Sequence, residues 1–489
     1  MEQANNQKTE TPVIELHGRQ KIYIGYDEAT DDNIADILTQ TYPIFCVNKG
    51  QINYLINYYK GLQPILSKDK KVRPEINNKI VENHANSIVQ FKTGYLLEKP
   101  IQYVGRKNEV DDKSLNDFND FLEIESKESK DKKIAHDQAI CGVAYRLVLP
   151  NDKYVFGSED ESPFNIYTID PRSAYVVYSS NIEGKAILGV VVYKKRVGNE
   201  ERFILQAYSS DKYWVFDYTE KRVENALPNV YDSIPLIEYP YSEDRIGAFE
   251  MVIPLLDAIN KVQSNRLDGV EQFIQALLVF KNTEIDKEQL QELLELGAIK
   301  VTDTGELRAN VEYLTQELNQ EQVQKLKDDL LNVVYHIVGM PNRSKSGGGD
   351  TGTAVIYRNG WEEAESKIQD VELMFKESEK QFLKIALSFT RILTFNRNKL
   401  KLSDLEIKFT RKNYENTLQK AQILNLMLGN ERIAPRLAFV ECGMFSDPEG
   451  AYQESQKWYD EHAGKQPTTT PNPNPNPNPN PNPPAQGGE

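Results

Sequence analysis

The apolar pattern between positions 361 and 392 predicts one unusually long helix. Apolar residues follow each other there at spacings of three and four, which places them on one side of an α-helix. The apolar positions are Trp361, Ala364, Ile368, Val371, Phe375, Phe382, Ile385, Phe389 and Ile392, and the polar Ser378 is the one break in character. A helix of about forty residues would span roughly 60 Å, about twice the diameter of a small domain. We therefore expect that the core of one subunit cannot cover this helix, and that other subunits or other long helices do.

If a neighbouring subunit covers this stripe, the residues in contact form an inter-subunit helix seam. The seam is predicted at Trp361, Ile368, Val371, Phe375, Phe382, Ile385 and Phe389. A structural scaffold built on the heptad pattern would use the same stripe. The stripe therefore predicts association without specifying its purpose.

A shorter helix and a glycine-rich stretch precede the long helix. Residues 319–338 carry an apolar stripe at helical spacing, and Gly339 followed by Pro341 is a helix stop signal. Residues 342–352 contain no apolar side chain, so we expect this stretch to be exposed and mobile. Two interpretations remain open. The segment is a flexible connection in a helical hairpin, or it is a loop presented to something that moves past it.

Composition bounds the class of protein. The chain has 489 residues, 39% hydrophobic and 27% charged, which is enough for two to four domains. No apolar run of about 18 residues occurs and the first residues are polar, so we expect no signal peptide and no contact with a membrane. Three cysteines far apart in sequence suggest reduced thiols. The net charge of -15 disfavours tight duplex binding but allows DNA as a passing cargo.

The order of predicted elements indicates an α+β fold. Residues 1–30 resemble a polar arm, and amphipathic helices follow from position 32. β-branched and aromatic runs between positions 146 and 218 predict an antiparallel β region. A long helix near 252–277 leads into a small α/β insert. After the long heptad helix come a return strand near Ile407, terminal helices and a Pro-Asn tail that cannot form a core.

The motifs of common enzymes are missing from the sequence. The glycines at 347–349 are not followed by Gly-Lys-Ser or Gly-Lys-Thr, so they do not form a phosphate-binding P-loop. No His-Glu-x-x-His, Gly-x-Ser-x-Gly or Cys-x-x-Cys spacing occurs, and the five histidines are scattered. We therefore predict no catalytic residues, no metal site and no cofactor.

In the order of its predicted elements the chain resembles the portal proteins of tailed bacteriophages, of the kind found in siphophages that infect Gram-positive hosts. The resemblance covers roughly residues 30 to 460. It rests on Asn78-Lys79-Ile80-Val81-Glu82-Asn83-His84, Gly94 and Pro100, on Ile234-Pro235-Leu236-Ile237-Glu238, and on Val338-Gly339-Met340-Pro341 ahead of the loop and Trp361. The Pro-Asn tail departs from the family pattern.

The resemblance implies a division of the chain into named parts. These are an N-terminal arm (1–30), a wing of helices and antiparallel strands (31–240), stem helix 1 (241–277), a clip (278–318), stem helix 2 (319–340), a tunnel loop (341–352), a long wing helix with its return strand (353–415), a crown (416–464) and the tail (465–489). It further implies a cyclic homo-oligomer of about twelve subunits around a channel for double-stranded DNA. The ring would lie at one capsid vertex of the virion and would assemble in the host cytoplasm.

The resemblance also implies the residues and partners of the channel. The DNA-channel positions would be Asn342, Arg343, Ser344, Lys345, Ser346, Gly347, Gly348, Gly349, Asp350 and Thr351. Arg343 and Lys345 would make weak phosphate contacts. The terminase large subunit would hydrolyse ATP, and the head-tail adaptor, the scaffolding protein and the major capsid protein would bind elsewhere. Two alternatives remain: a nucleic-acid-processing enzyme, and a coiled-coil scaffold without a channel.

Overall fold

The computed structural model describes most of the chain, with gaps. The described residues are 18–106, 112–158, 160–229, 232–274, 277–281, 310–314, 320–341, 360–395, 397–411, 417–442, 444–445 and 448–462. The chain divides into two compact units, Met1–Tyr414 and Glu415–Glu489.

The first unit combines seven long helices of the described residues with strands. The helices are α1 (Ile34–Tyr59), α2 (His84–Leu96), α3 (Asp112–Ile124), α4 (Lys127–Cys141), α5 (Ile253–Ile274), α6 (Gln320–Val338) and α7 (Trp361–Leu393). The strands are β1 (Ile22–Ile24), β2 (Gln102–Gly105), β3 (Val143–Pro150), β4 (Phe164–Ile169), β5 (Ala174–Ser179), β6 (Ala186–Val197), β7 (Glu200–Tyr208), β8 (Lys212–Asp217), β9 (Arg222–Pro228), β10 (Leu236–Pro240), β11 (Leu277–Lys281), β12 (Asn310–Leu314) and β13 (Leu405–Lys408). The predicted α+β class is confirmed.

The largest sheet has the strand order β1-β5-β6-β7-β8-β9. β1 is parallel to β5, and the other neighbours are antiparallel. Alternate residues point to one face, where Trp214 and Phe216 are fully buried together with residues of α1 such as Phe45. Residues 1–30 were expected to form an arm, but Ile22 and Ile24 are buried strand residues of this sheet.

Three smaller sheets complete the strand pairing of the described residues. Their orders are β10-β3-β4, β11-β12 and β13-β2, all antiparallel. β11 and β12 are the described part of the predicted α/β insert. The rest of this insert, residues 282–309, lies outside the described residues.

The prediction of an inter-subunit seam on the long helix is wrong. Six of its seven side chains are at most 5% exposed within the single chain, and Trp361 packs against the same core. The six are Ile368, Val371, Phe375, Phe382, Ile385 and Phe389. α7 has 33 residues, or roughly 50 Å of helix, which is shorter than expected. Secondary structure from the same chain covers this length, so no second subunit is required.

The residues that cover α7 come from many distant parts of the sequence. Tyr239 of β10 lies edge-on to Phe375, with ring centroids 5.0 Å apart, and Phe164 of β4 lies edge-on to Phe382 at 6.4 Å. Helices α2, α3 and α4 add further buried side chains to the same cluster. Long-range contacts of this kind are invisible to a pattern confined to one helix.

A buried ionic cluster fixes the middle of α7. Glu379 is 0% exposed and forms ion pairs with Arg146 (2.7 Å) and Lys127 (3.1 Å). It also accepts hydrogen bonds from the hydroxyls of Tyr103 (2.6 Å) and Tyr239 (2.8 Å). Burial alone would raise the pKa of Glu379, but the two cations and the two hydroxyls overcome this effect and lower it. The carboxylate is therefore charged inside the core.

The second unit is a small helical assembly of its own. Its helices are α8 (Thr417–Leu428), α9 (Pro435–Glu441) and α10 (Pro448–His462). Phe439 stacks on Phe445 with ring centroids 5.2 Å apart and meets Tyr452 edge-on at 5.8 Å. This unit starts at Glu415, next to the position where the crown was expected to start.

Candidate functional site

The predicted DNA-channel residues lie outside the described part of the chain. They are Asn342, Arg343, Ser344, Lys345, Ser346, Gly347, Gly348, Gly349, Asp350 and Thr351. The structure does describe both flanks of segment 342–359, which are the end of α6 and the start of α7. The candidate site is therefore the place where these two flanks meet.

The end of α6 is a glycine-terminated helix stop. Gly339 has a φ of +60°, which suits a residue without a Cβ. The N–H of Gly339 donates to the carbonyl of His336 at 3.2 Å, and the N–H of Met340 donates to the carbonyl of Tyr335 at 2.8 Å. These two bonds form a Schellman motif, and Pro341 follows it. The stop predicted from the sequence lies where α6 ends.

Two lysines bind the carbonyl groups at this helix end. Lys367 of α7 donates to the carbonyl of Ile337 at 2.5 Å, and Lys92 of α2 donates to the carbonyl of Gly339 at 3.3 Å. The carboxyl end of a helix carries partial negative charge, so both cations stabilise it. Burial lowers the pKa of Lys92 to about 8, the charge of Lys367 adds to this lowering, and Glu363 opposes it.

The start of α7 lies directly against the end of α6. His336 Nδ1 is 3.1 Å from the Glu363 carboxylate, and a Cβ on Gly339 would come within 2.7 Å of Lys367 Cδ. We call the cluster of Lys92, His336, Gly339, Glu363 and Lys367 the loop base. Because its members join both flanks, segment 342–359 begins and ends at neighbouring points.

Helix α2 contributes an aromatic support beneath the loop base. The ring of Tyr95 stacks on Phe91 at 5.6 Å and meets the ring of Trp361 at 5.9 Å. The Tyr95 hydroxyl donates to Glu365 at 2.7 Å, and Arg411 forms an ion pair with the same carboxylate at 2.6 Å. The first turns of α7 are therefore attached to α2 by both apolar and polar contacts.

Helix α5 packs beside α6 and binds the motif at residues 78–84. Asn260, Ser264 and Asp268 are spaced four residues apart, so they lie on one face of α5. Each accepts a hydrogen bond of 2.7 to 3.0 Å from a backbone N–H of an extended stretch. The donors are Glu82, Ile80 and Asn78, respectively. Helix α2 follows this extended stretch and starts at His84.

The sequence missed four members of the loop base, one of which is His336. Gly339 was recognised by its type and by the proline after it. Lys92, Glu363 and Lys367 gave no signal, because lysine and glutamate on amphipathic helices are usually solvated. Lys92 alone could have been noticed, since it lies among apolar neighbours in α2. Its partner carbonyl is 247 positions away, and sequence periodicity carries no information over that separation.

Other kinds of site were also considered. Among the described residues, no group of three or more His, Cys, Asp or Glu side chains is arranged to bind a metal ion. No helix in that part of the chain is long and apolar enough to cross a membrane.

Comparison with known proteins gives one family match. The model of a family described as phage portal protein, SPP1 Gp6-like, matches residues 45–468. No protein in the curated set matches the sequence significantly. Among solved structures, the chain is similar to one titled "Neck of empty GTA particle computed with C6 symmetry". The sequence identity is 10% and the TM-score is 0.41, over 74% of this chain and 90% of that chain.

Proposed function

Because the chain belongs to the SPP1 Gp6-like family of phage portal proteins, we propose that its copies assemble into a ring of about twelve subunits. The ring lies at one capsid vertex, and double-stranded DNA is packaged and ejected through its central channel. Family membership supports a structural rather than an enzymatic role. The DNA-translocating ATPase would belong to a partner terminase.

The loop base carries the proposal for the channel. Lys367 and the His336–Glu363 contact join the two flanks of segment 342–359, so the residues on either side of this segment lie close together in each subunit. In a ring, cyclic symmetry repeats this arrangement around the axis. We propose that residues 342–351 line the channel in every copy. The glycines at 347–349 let each copy adjust its height as the DNA moves.

Charge determines how tightly these loops would bind the DNA. Arg343 and Lys345 supply two cations per copy for weak, sequence-independent phosphate contacts. The whole chain has a net charge of -15, which opposes a long residence of DNA at any one place. A few cations on an otherwise acidic protein allow contact without tight binding, so the strand can slide.

The proposed partners follow from the position of a portal in a virion. The terminase large subunit would dock during packaging and the head-tail adaptor would replace it afterwards. Scaffolding protein and major capsid protein would surround the ring during assembly in the host cytoplasm. Binding to each partner is a proposal that co-purification with the individual protein tests.

Imaging of the purified full-length chain tests the proposed function. We expect rings with a central hole in negative-stain electron micrographs. Monomers or rod-like particles would contradict the ring and would favour the scaffold alternative. Nuclease activity or nucleotide turnover by the purified chain would instead support the enzyme alternative.

The loop itself is tested by replacing Gly347, Gly348 and Gly349 with alanine. We expect normal rings but impaired DNA packaging, because alanine restricts the backbone of the loop. Gly25→Ala is the matched control, since a Cβ there has no neighbouring atom within 4 Å and the backbone is not left-handed. Normal packaging by the triple variant would show that loop adjustment is not needed.

A further inference from the structure

A cleft between α7 and the return strand β13 has no assigned role. Its volume is about 570 Å³. We call this cavity the α7/β13 cleft. Its lining includes an apolar floor and a cationic rim. The floor is Leu383, Leu402 and Leu405, and the rim is Arg106, Lys376 and Lys380.

The cleft runs along an open edge of a strand. Three consecutive residues of β13, Leu405, Glu406 and Ile407, line it. Because successive strand side chains point to opposite faces, a cavity that touches all three lies beside the strand edge. Among the described residues β13 pairs with β2 alone. An uncovered edge of this kind is a template for a further strand.

Two of the three cationic side chains of the rim have no ion-pair partner in the described part of the chain. Lys376 forms an ion pair with Glu372 at 2.5 Å, but Arg106 and Lys380 form none there. Glu406 is the one carboxylate among the lining residues. In a chain with 73 acidic and 58 basic residues, two unpaired cations beside an apolar floor indicate an acidic occupant.

We propose that the N-terminal segment of an adjacent copy adds a strand to β13 in this cleft. Residues 10–16 read Glu-Thr-Pro-Val-Ile-Glu-Leu. In an extended strand Ile14 and Leu16 point to one face, towards the apolar floor. Glu10 shares this face near the strand start and Glu15 lies on the other face, so both carboxylates are candidates to pair with Arg106 and Lys380. The proposal rests on the proposed function insofar as a ring places a second copy alongside.

Length and connectivity favour this occupant over other segments outside the described residues. The 17 residues before Gly18 reach roughly 58 Å when extended, which is enough to pass to another copy. Segment 107–111 connects β2 to α3, and α3 packs against β2. Five residues would have to cross β13 and return to fill the cleft. Segment 282–309 is fixed at both ends by the β11–β12 pair.

The mechanism of recognition is strand addition with side-chain selectivity. Main-chain hydrogen bonds to the open edge of β13 supply affinity that does not depend on sequence. The apolar floor and the cationic rim select a segment that contains both apolar and acidic residues. Such a contact would link each subunit to the next one through an arm.

Disulfide formation between two differently labelled copies tests the proposal. Both variants carry Cys46→Ser, because Cys46 is exposed whereas Cys141 and Cys442 are buried. One adds Val13→Cys and the other adds Ser403→Cys at the rim. The two full-length proteins are mixed, assembled and oxidised. We expect a covalent dimer that contains one chain of each kind, because neither variant can form this bond within itself.

A matched control places the second cysteine away from the cleft. Ile182→Cys lies in a fully exposed turn, so it should link to Val13→Cys far less than Ser403→Cys does. Reversing the rim with Arg106→Glu and Lys380→Glu should lower the yield of mixed dimer about fivefold. Adding Glu10→Lys and Glu15→Lys to the partner should restore it.

The outcomes separate this proposal from the proposed function. Intact rings without the mixed dimer would overturn the docked arm and leave the portal assignment standing. Equal linking to Ser403→Cys and Ile182→Cys would also overturn it, because a freely moving arm reaches both. Absence of rings would contradict the proposed function and the docked arm together.

Discussion

The middle of α7 and its first turns differ in how strongly the surrounding residues hold them in place. Around Glu379 the helix is enclosed, with two ion pairs and two tyrosine hydrogen bonds in a region without solvent access. At the loop base the contacts are fewer and partly solvated, since the His336 side chain is 78% exposed. One helix therefore joins a rigid interior to an adjustable end.

This difference means that the two parts of α7 have different energetic costs of rearrangement. Rearrangement of the middle of α7 would leave buried charges unpaired, which costs several kcal/mol. At the loop base, rearrangement breaks the partly exposed contacts of His336, Glu363 and Lys367, which are worth about 1 kcal/mol or less each. A rearrangement at the loop base would therefore leave the core around Glu379 undisturbed.

Removing the Glu379 carboxylate should have the largest effect on the difference between the middle and the start of α7. Glu379→Ala leaves Arg146 and Lys127 in the core with one counter-charge fewer, so we expect the free energy of unfolding to fall by about 3–5 kcal/mol. Urea denaturation measures it. Glu377→Ala, at an exposed position on the same helix, should change it by less than about 0.5 kcal/mol. Equal effects of the two variants would show that the cluster does not fix α7.

Lys92→Met sharpens the comparison by removing a buried charge from the loop base. The pKa of Lys92 is lowered from 10.5 to about 8, so the unfolded chain binds more protons between these pH values. The stability of the native chain therefore rises as the pH increases through this window. At pH 7 the variant should be more stable by about 2 kcal/mol, and the difference should vanish near pH 10.5.

Urea denaturation of both proteins at pH 7 and pH 10.5 measures this effect. Lys367→Met is the control, because Lys367 is 39% exposed and its charge is solvated. A stability difference for Lys92→Met that does not change with pH would contradict the burial of a charged amine at this position.

Replacing either of the two glycines that flank segment 342–359 should have an intermediate effect on stability, and the two variants can be compared directly. Gly339 and Gly360 have φ values of +60° and +78°. Alanine in this conformation costs about 1–2 kcal/mol at either position. A Cβ at Gly339 would also contact Lys367 at 2.7 Å, whereas a Cβ at Gly360 has open space. Thermal unfolding should therefore show the larger loss for Gly339→Ala. The reverse order would argue against close packing of the two flanks.

The smallest expected effect on stability comes from breaking the exposed contact between His336 and Glu363 in the loop base. Glu363→Gln removes the charge that faces His336 and Lys367, and we expect a loss of less than about 1 kcal/mol. Amide hydrogen exchange should report faster opening of the first turn of α7, with no change around Glu379. A global change in exchange would show that the loop base is part of the rigid core.

The sequence predicted the portal family and the α+β class, and both are confirmed. Helix ends with strong signals were also predictable: Gly339 and Pro341 terminate α6 as expected. These features depend on residues near each other in the chain. The strand at Ile22–Ile24 was missed because its pairing partner, β5, begins at Ala174.

The error about the seam has a physical cause. A heptad stripe shows that one face of a helix is buried, but it does not show by what. Helix length was taken as evidence for a neighbouring subunit, yet β10, β4 and three helices of the same chain cover it. Glu379 was not identified as a core residue, because its partners Arg146 and Lys127 lie more than 200 positions away. The DNA-channel residues remain a prediction.

A cryo-electron microscopy reconstruction of the assembled full-length chain tests the central claim most directly. We predict a closed ring in which Gly339 and Trp361 of every copy face a central hole wide enough for a DNA duplex. A ring with the loop base on its outer surface, or an assembly without a hole, would contradict the account.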